Sequence, residues 1–131
     1  MWYEVIERTE FLQKLYNNIP DLFDVEILSI QLEENANRIR MSLFIPTIVD
    51  NPPLKWKQLK YDAALIDLDL FIISHFSLRC KSNKYIVNIY MEEREKNIVV
   101  KCEGGIDIKI CAEIGMIQSV RGCRSKEIHP V

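Results

Sequence analysis

The stretch Ala64-Leu65-Ile66-Asp67-Leu68-Asp69-Leu70-Phe71-Ile72 decides the fold of this chain. Its even-numbered positions are all apolar, and Asp67 and Asp69 stand between them. Alternate side chains of a β-strand point to opposite faces, so this pattern predicts a strand with one buried face. Similar alternation recurs along the chain. It predicts a mostly β fold of α+β type, either a curled antiparallel sheet or a small sandwich of about seven strands, with one N-terminal helix.

Two strands are predicted before this stretch, at about residues 24–33 and 38–46. The apolar positions of the first strand change parity between Ile27 and Leu28, which predicts a β-bulge near residues 27–28. An antiparallel hairpin with a loop of about six residues brings the apolar side chains of both strands to one face. Its predicted register pairs Leu32 with Ile39, Ile30 with Met41, and Leu28 with Leu43.

A meander is predicted after residue 60. The strand at 61–73 either continues after a bend or is followed by a short separate strand at 76–80. Further strands are expected near 85–91 and 98–102, separated by a charged turn at 92–97. A three-residue loop, Glu103-Gly104-Gly105, then pairs Cys102 with Ile106 and Lys101 with Asp107. The last strand is expected near 115–122, and residues 124–131 are expected to fray.

Two segments fall outside the sheet pattern. Residues 9–18 have the apolar spacing of a helix, with Thr9 as its N-cap and Pro20 shortly after its end. Residues 46–60 contain adjacent prolines and form a predicted loop, which we expect Trp56 to anchor. Trp2 is expected to be a core residue.

Composition and charge limit the possible classes of protein. The chain has 131 residues, 48% hydrophobic and 27% charged, which predicts a single domain over residues 1–131. Residues 1–50 carry nine acids and four bases, whereas residues 51–131 carry ten acids and thirteen bases. This asymmetry can steer a charged partner, or it can reflect solvated faces alone.

Neither nucleic acid nor a membrane is a predicted partner. The chain has no basic stripe interleaved with aromatic residues, and no apolar run near the roughly 20 residues that span a bilayer. Its first residues lack the features of a secretory signal, so we expect a cytoplasmic protein. The four cysteines show no CxxC spacing and are predicted to be reduced: Cys80, Cys102, Cys111 and Cys123.

Residues able to carry chemistry are few. His75 and His129 have no metal-ligand spacing with other residues, and no cofactor motif occurs, so we predict no metal, no cofactor and no catalytic residue. Asp67 and Asp69 are the best candidates for an enzyme, because both carboxylates lie on one face of one strand. They are also what the polar face of a half-buried strand requires, and this second interpretation is favoured.

Several segments share the order of features found in one protein family. They are Trp2, the helix, the run Pro20-Asp21-Leu22-Phe23-Asp24-Val25-Glu26-Ile27, the loop Pro52-Pro53-Leu54-Lys55-Trp56, and the strands from 64–72 to about Gly122. Together they cover nearly the whole chain, and they resemble the immunity protein 50 family of bacterial polymorphic toxin systems. The resemblance implies a small non-enzymatic protein that binds a cognate toxin and neutralises it by surface complementarity.

The partner-binding residues are predicted from charge. Toxins that attack nucleic acid need basic surfaces, and an acidic inhibitor associates rapidly with such a surface. The predicted partner contacts are Glu4, Glu7, Glu10, Asp24, Glu26 and two aspartates taken to be exposed, Asp67 and Asp69. The predicted structural anchors are Trp2, Pro20 and Trp56, with partner contact as the alternative for Trp56. Two other functions remain open: a small enzyme using Asp67 and Asp69, and an oligomeric structural module that pairs through a strand edge.

Overall fold

The computed structural model describes residues 1–128, which form six β-strands and four short helices. The strands are β1 (Val25–Glu33), β2 (Arg38–Ile45), β3 (Ala63–Cys80), β4 (Ile86–Arg94), β5 (Asn97–Gly104) and β6 (Ile106–Cys123). The helices are α1 (Trp2–Val5), α2 (Glu10–Leu15), α3 (Leu54–Leu59) and α4 (Ser125–Ile128). The predicted mostly β fold with helix near its N-terminus is confirmed.

The strands form a closed antiparallel barrel in the order β1-β2-β3-β6-β5-β4. The barrel can be described as two sheets, and the long strands β3 and β6 run through both of them. What we call the first sheet consists of β1, β2, residues 63–71 of β3 and residues 115–123 of β6. The second sheet consists of β4, β5, residues 73–80 of β3 and residues 106–112 of β6. A short contact between β1 and β4 closes the barrel.

The two long strands bend where one sheet passes into the other. The register between them shifts between Ile73 and His75, and Ile72 adopts a left-handed φ of 59°. On β6, Gly115 lets the N-terminal segment approach closely, since a Cβ there would lie 2.9 Å from Ile6 Cγ2. Glu7 then bonds through its backbone to Gly115 and Ile117, so the N-terminal segment is tied to β6.

One apolar cluster fills the barrel interior. It contains most of the inward positions that the alternation predicts, and the side chains of Ile39, Met41, Ile66, Leu68 and Leu70 have no exposed surface. Two predicted inward residues are exposed instead, Ile72 by 43% and Leu32 by 51%. Burial of that many aliphatic side chains, each worth about 1.5–3 kcal/mol, is the main stabilising contribution. A smaller cluster of Phe44, Ala63 and Cys123 lies outside it, and Ile128 of α4 packs against this second cluster.

The β1–β2 hairpin agrees with its prediction except beyond the bulge. Leu32 pairs with Ile39, Ile30 pairs with Met41, and the register shifts between Ile27 and Ser29, so the bulge is confirmed. The predicted pairing of Leu28 with Leu43 is wrong, because the bulge places Ile27 opposite Leu43. Leu28 is displaced outward and is 44% exposed.

The predicted register of β5 and β6 is wrong by two residues. Cys102 pairs with Ile108 rather than Ile106, and Lys101 lies opposite Lys109 rather than Asp107. A shift of two residues keeps every side chain on its own face, so apolar alternation cannot detect it. The favourable charge pair expected here is replaced by a pair of like charges.

The structure also decides several element boundaries. The barrel has six strands because residues 63–80 and residues 106–123 each form one continuous strand. For 63–80 this confirms the first predicted alternative, continuation after a bend. The α2 helix ends at Leu15, before residue 18. The charged turn contracts to Glu95 and Lys96, both with positive φ, as a two-residue hairpin loop requires. Residues 125–128 form a helix instead of fraying. Residues 129–131 lie outside the described residues, and so does the prediction that His129 binds no metal.

Candidate functional site

Asp69 lies at the centre of an ion-pair cluster on the outer face of the first sheet. Its neighbours Leu68 and Leu70 point into the core, so Asp69 points outward, yet it has no exposed surface. Arg40 covers it with two hydrogen bonds, Nε to Oδ1 at 2.7 Å and Nη2 to Oδ2 at 2.9 Å. Arg38 donates a third bond to Oδ2 at 2.7 Å and lies over the ring of Phe71.

Asp67 forms a second cluster one row along the same face. Ser42 of β2 and Ser119 of β6 each donate a hydroxyl to it at 2.6 Å, one to each carboxylate oxygen. Arg121 lies 3.6 Å away, and the Asp67 side chain is 15% exposed. The prediction that Asp67 and Asp69 are exposed is therefore wrong, because groups on the neighbouring strands cover both carboxylates.

The pKa values of these aspartates do not favour the enzyme alternative. Burial raises the pKa of Asp69, but the hydrogen bonds and charges of Arg40 and Arg38 outweigh it and lower the pKa overall. Burial likewise raises the pKa of Asp67, and the bonds from Ser119 and Ser42 with the charge of Arg121 lower it overall. An acid–base pair would show at least one raised pKa and a shared cavity. Neither residue lines any of five surface cavities formed by residues 1–128.

An acidic groove lies where the N-terminal segment crosses the barrel. Glu7, Glu93 of β4 and Glu113 of β6 line it, beside Lys96, and its volume is about 160 Å³. All three glutamates are exposed, and none forms an ion pair within residues 1–128. Glu7 comes from the predicted set of partner contacts, whereas Glu93 and Glu113 do not.

The remaining predicted acids are spread over other parts of the surface. Glu4 of α1 is exposed and lies 3.7 Å from the N-terminal ammonium. Glu10 is the exposed first residue of α2. Asp24 and Glu26 lie where β1 meets β4: the Asp24 backbone amide donates to Asn88, and Glu26 is half-buried opposite Ile86. The seven predicted acids therefore do not form one face.

Trp2 and Pro20 are brought together by a hydrogen bond. The indole Nε1 of Trp2 donates to the Pro20 carbonyl at 2.9 Å, and Trp2 is 5% exposed. The bond ties α1 to the segment that leads into β1. A buried indole N–H needs such a partner, and Pro20 supplies it from 18 residues away.

Trp56 of α3 is buried among residues from distant parts of the chain. It contacts the rings of Phe11 and Tyr61, with centroids 5.9 Å and 6.4 Å away. Gly122 makes the fit possible, because a Cβ there would lie 2.8 Å from the Trp56 ring and 2.5 Å from Tyr61. The segment expected to be an irregular loop is thus partly helical and packed on β6.

Residues 1–128 contain neither a metal-ligand cluster nor a disulfide. No group of three His, Cys, Asp or Glu residues in this range is placed to hold a metal ion. The cysteines in it are unpaired, and burial raises the pKa of the Cys102 thiol to about 12. Within the same range, no helix has both the length and the apolar character needed to cross a membrane.

The sequence carried uneven signals for these residues. The run of charges around Glu93 was visible, but it was interpreted only as a turn. The pairing of Asp69 with Arg38 and Arg40 depends on β2 lying beside β3, and the apolar pattern of the β1–β2 hairpin carries no information about that neighbour. Nothing in the sequence indicates that Glu113 belongs to the site. It lies between apolar residues of β6, and only the folded structure places it in the same groove as Glu7.

Comparison with known proteins gives one family and one related fold. A family model described as Immunity protein 50 matches residues 8–122. No curated protein matches the chain significantly. A crystal structure of an uncharacterized protein from Neisseria gonorrhoeae is similar with a TM-score of 0.50 and 14% identity, over 74% of this chain and 92% of that one. At that identity, the likeness concerns the fold alone.

Proposed function

The chain belongs to the Immunity protein 50 family, and we propose on that basis that it is a bacterial cytoplasmic immunity protein that binds a cognate toxin and neutralises it without catalysis. The observation that carries the proposal is the family match over residues 8–122. Inhibition of this kind needs only a complementary surface. A single domain over residues 1–131 is part of the same proposal.

The acidic groove is the part of the predicted acidic surface that best suits a basic toxin. Glu7, Glu93 and Glu113 converge there from three elements, and their carboxylates have no internal cation to release before a partner binds. Glu4 and Glu10 flank Glu7 along the chain and extend this surface in the proposal. Asp69 is excluded from it, because its carboxylate is already bonded to two arginines.

The test is neutralisation of the neighbouring gene product. The protein is co-expressed in a sensitive host with the product of the adjacent open reading frame, and growth and co-purification are scored. Rescue of growth together with a purified complex supports the proposal. A toxic neighbour that is neither bound nor neutralised contradicts it.

The binding surface is tested separately by charge reversal. Glu7→Lys/Glu113→Lys should slow association with the toxin by roughly tenfold at low salt, since steering by complementary charge acts mainly on the association rate. The matched control is Glu34→Lys/Glu127→Lys, which makes the same change of charge at exposed sites outside the groove. Equal association rates for the two double variants would exclude the groove as the contact.

One observation bears on the oligomeric alternative. Within residues 1–128, β3 pairs with β2 only as far as Phe71, so residues 73–80 pair with β6 alone and have a free edge. Free edges can recruit a strand from a second copy. Light scattering at high protein concentration distinguishes the alternatives: a monomer counts against a structural module.

A further inference from the structure

A groove of about 580 Å³ lies on the second sheet, at the opposite end of β5 from the acidic groove. Its lining carries four cations: Arg79 near the end of β3, Lys81 directly after that strand, Lys101 of β5 and Lys109 of β6. Two carboxylates, Glu103 and Asp107, line it as well. The groove therefore has an excess of two positive charges in a protein whose net charge is −2.

Three of the four cations are not neutralised by an ion pair within residues 1–128. Lys81 lies 3.5 Å from Asp107, but Arg79, Lys101 and Lys109 form no ion pair within residues 1–128. Lys101 and Lys109 are also directly opposite each other in register. Their neighbours Val100, Cys102 and Ile108 are core residues, so both lysines point to the same outer face.

A directly opposed pair of like charges destabilises a sheet. The same chain neutralises its charges on the first sheet, where each aspartate meets an arginine. A lysine pair without an ion-pair partner in the lining of a 580 Å³ groove is the arrangement expected where an external anion supplies the missing charge.

We propose that this groove binds an acidic segment of a protein partner, with Lys101, Lys109 and Arg79 contacting its carboxylates. The carboxylates of Glu103 and Asp107 favour a peptide over a nucleic acid as the bound anion. They repel a continuous phosphodiester chain, whereas carboxylates on a peptide can be spaced to avoid them. The inference does not rest on toxin neutralisation, because it concerns a different surface with the opposite charge.

The test uses the whole protein and a fluorescently labelled peptide of alternating glutamate and serine. Fluorescence anisotropy at low salt should show binding that weakens as salt is added. Lys101→Gln/Lys109→Gln should weaken it by about tenfold, the loss of roughly two favourable charge contacts. The control, Lys14→Gln/Lys57→Gln, removes the same charge from exposed sites on α2 and α3.

Three outcomes would overturn the proposal. They are no binding by the unaltered protein at low salt, an equal loss in both double variants, and tighter binding of a single-stranded oligonucleotide of the same charge than of the peptide. Circular dichroism confirms that both variants are folded before their affinities are compared. The growth-rescue assay tests toxin neutralisation separately, so a failure of peptide binding does not contradict that proposal, and a failure of growth rescue does not contradict this one.

Discussion

The outer faces of the two sheets differ in how completely their charged side chains are paired. On the first sheet, Asp69 is fully buried beneath two arginines, and Asp67 is held by two hydroxyls and a third arginine. On the second sheet, Lys101 lies opposite Lys109 with no acid between them. Matched charges indicate a face whose polar groups stabilise the fold. The unpaired lysines on the second sheet fit the proposal that this face binds a partner.

The largest expected effect of a substitution is at Asp69. Asp69→Ala leaves Arg38 and Arg40 without their shared carboxylate in a covered site, and should lower the free energy of unfolding by about 3 kcal/mol. Urea denaturation measures this. Lys101→Ala is the comparison on the second sheet, where the change should stay within about 0.5 kcal/mol. Similar losses at both positions would remove the distinction between the faces.

The pH dependence of stability should reflect the same cluster. The folded-state pKa values of Asp67 and Asp69 are lowered, so their stabilisation is present above the unfolded value of about 3.9 and is lost as the pH falls through the folded values. Denaturation midpoints between pH 7 and strongly acidic solution should fall less steeply in Asp69→Asn than in the unaltered protein. Parallel curves would show that Asp69 is not part of the acid response.

A smaller effect is expected at the two hydroxyls that bind Asp67. Ser42→Ala or Ser119→Ala removes one 2.6 Å bond to a partly exposed carboxylate, and each should cost about 1 kcal/mol. Because the two bonds share one acceptor, the double variant should deviate from additivity. A double-mutant cycle by thermal or urea unfolding measures the coupling, and additive losses would show that the bonds act independently.

The smallest effect, and the only stabilising one, is expected on the second sheet. Lys109→Glu replaces the like-charge pair with Lys101 by an opposite-charge pair, which should raise stability by about 0.5 kcal/mol. The unfolding midpoint at low salt measures it, and added salt should reduce the gain. A destabilised variant would show that Lys109 has a structural role that the register does not reveal.

Much of the fold could be predicted because the side-chain periodicity of a strand is local. The alternation at residues 64–72 correctly assigned Ile66, Leu68 and Leu70 to the core. The parity change at Ile27 correctly located the bulge, since a bulge is the local event that reverses faces. The β5–β6 register was mistaken because a shift of two residues leaves the apolar pattern unchanged.

The candidate site was harder to predict, because its members come from separate elements. Glu7 is identified by its charge, but β4 and β6 bring its neighbours Glu93 and Glu113 to it, and Gly115 leaves the space in which Ile6 packs on β6. Asp69 was expected to be exposed because it alternates with core residues. Its burial is due to Arg38 and Arg40 on the adjacent strand, which the pattern within β3 does not describe.

By itself, the sequence of this protein determined the β class, most of the inward-facing residues, the first hairpin up to its bulge and the resemblance to an immunity family. Those properties depend on side-chain periodicity and on residue order, which are local features of the sequence. Only the tertiary structure decided the barrel closure, the register of β5 with β6, and the charges that meet across strands. These depend on contacts between residues distant in sequence, and their energies are set by which side chains the closed barrel brings within bonding distance.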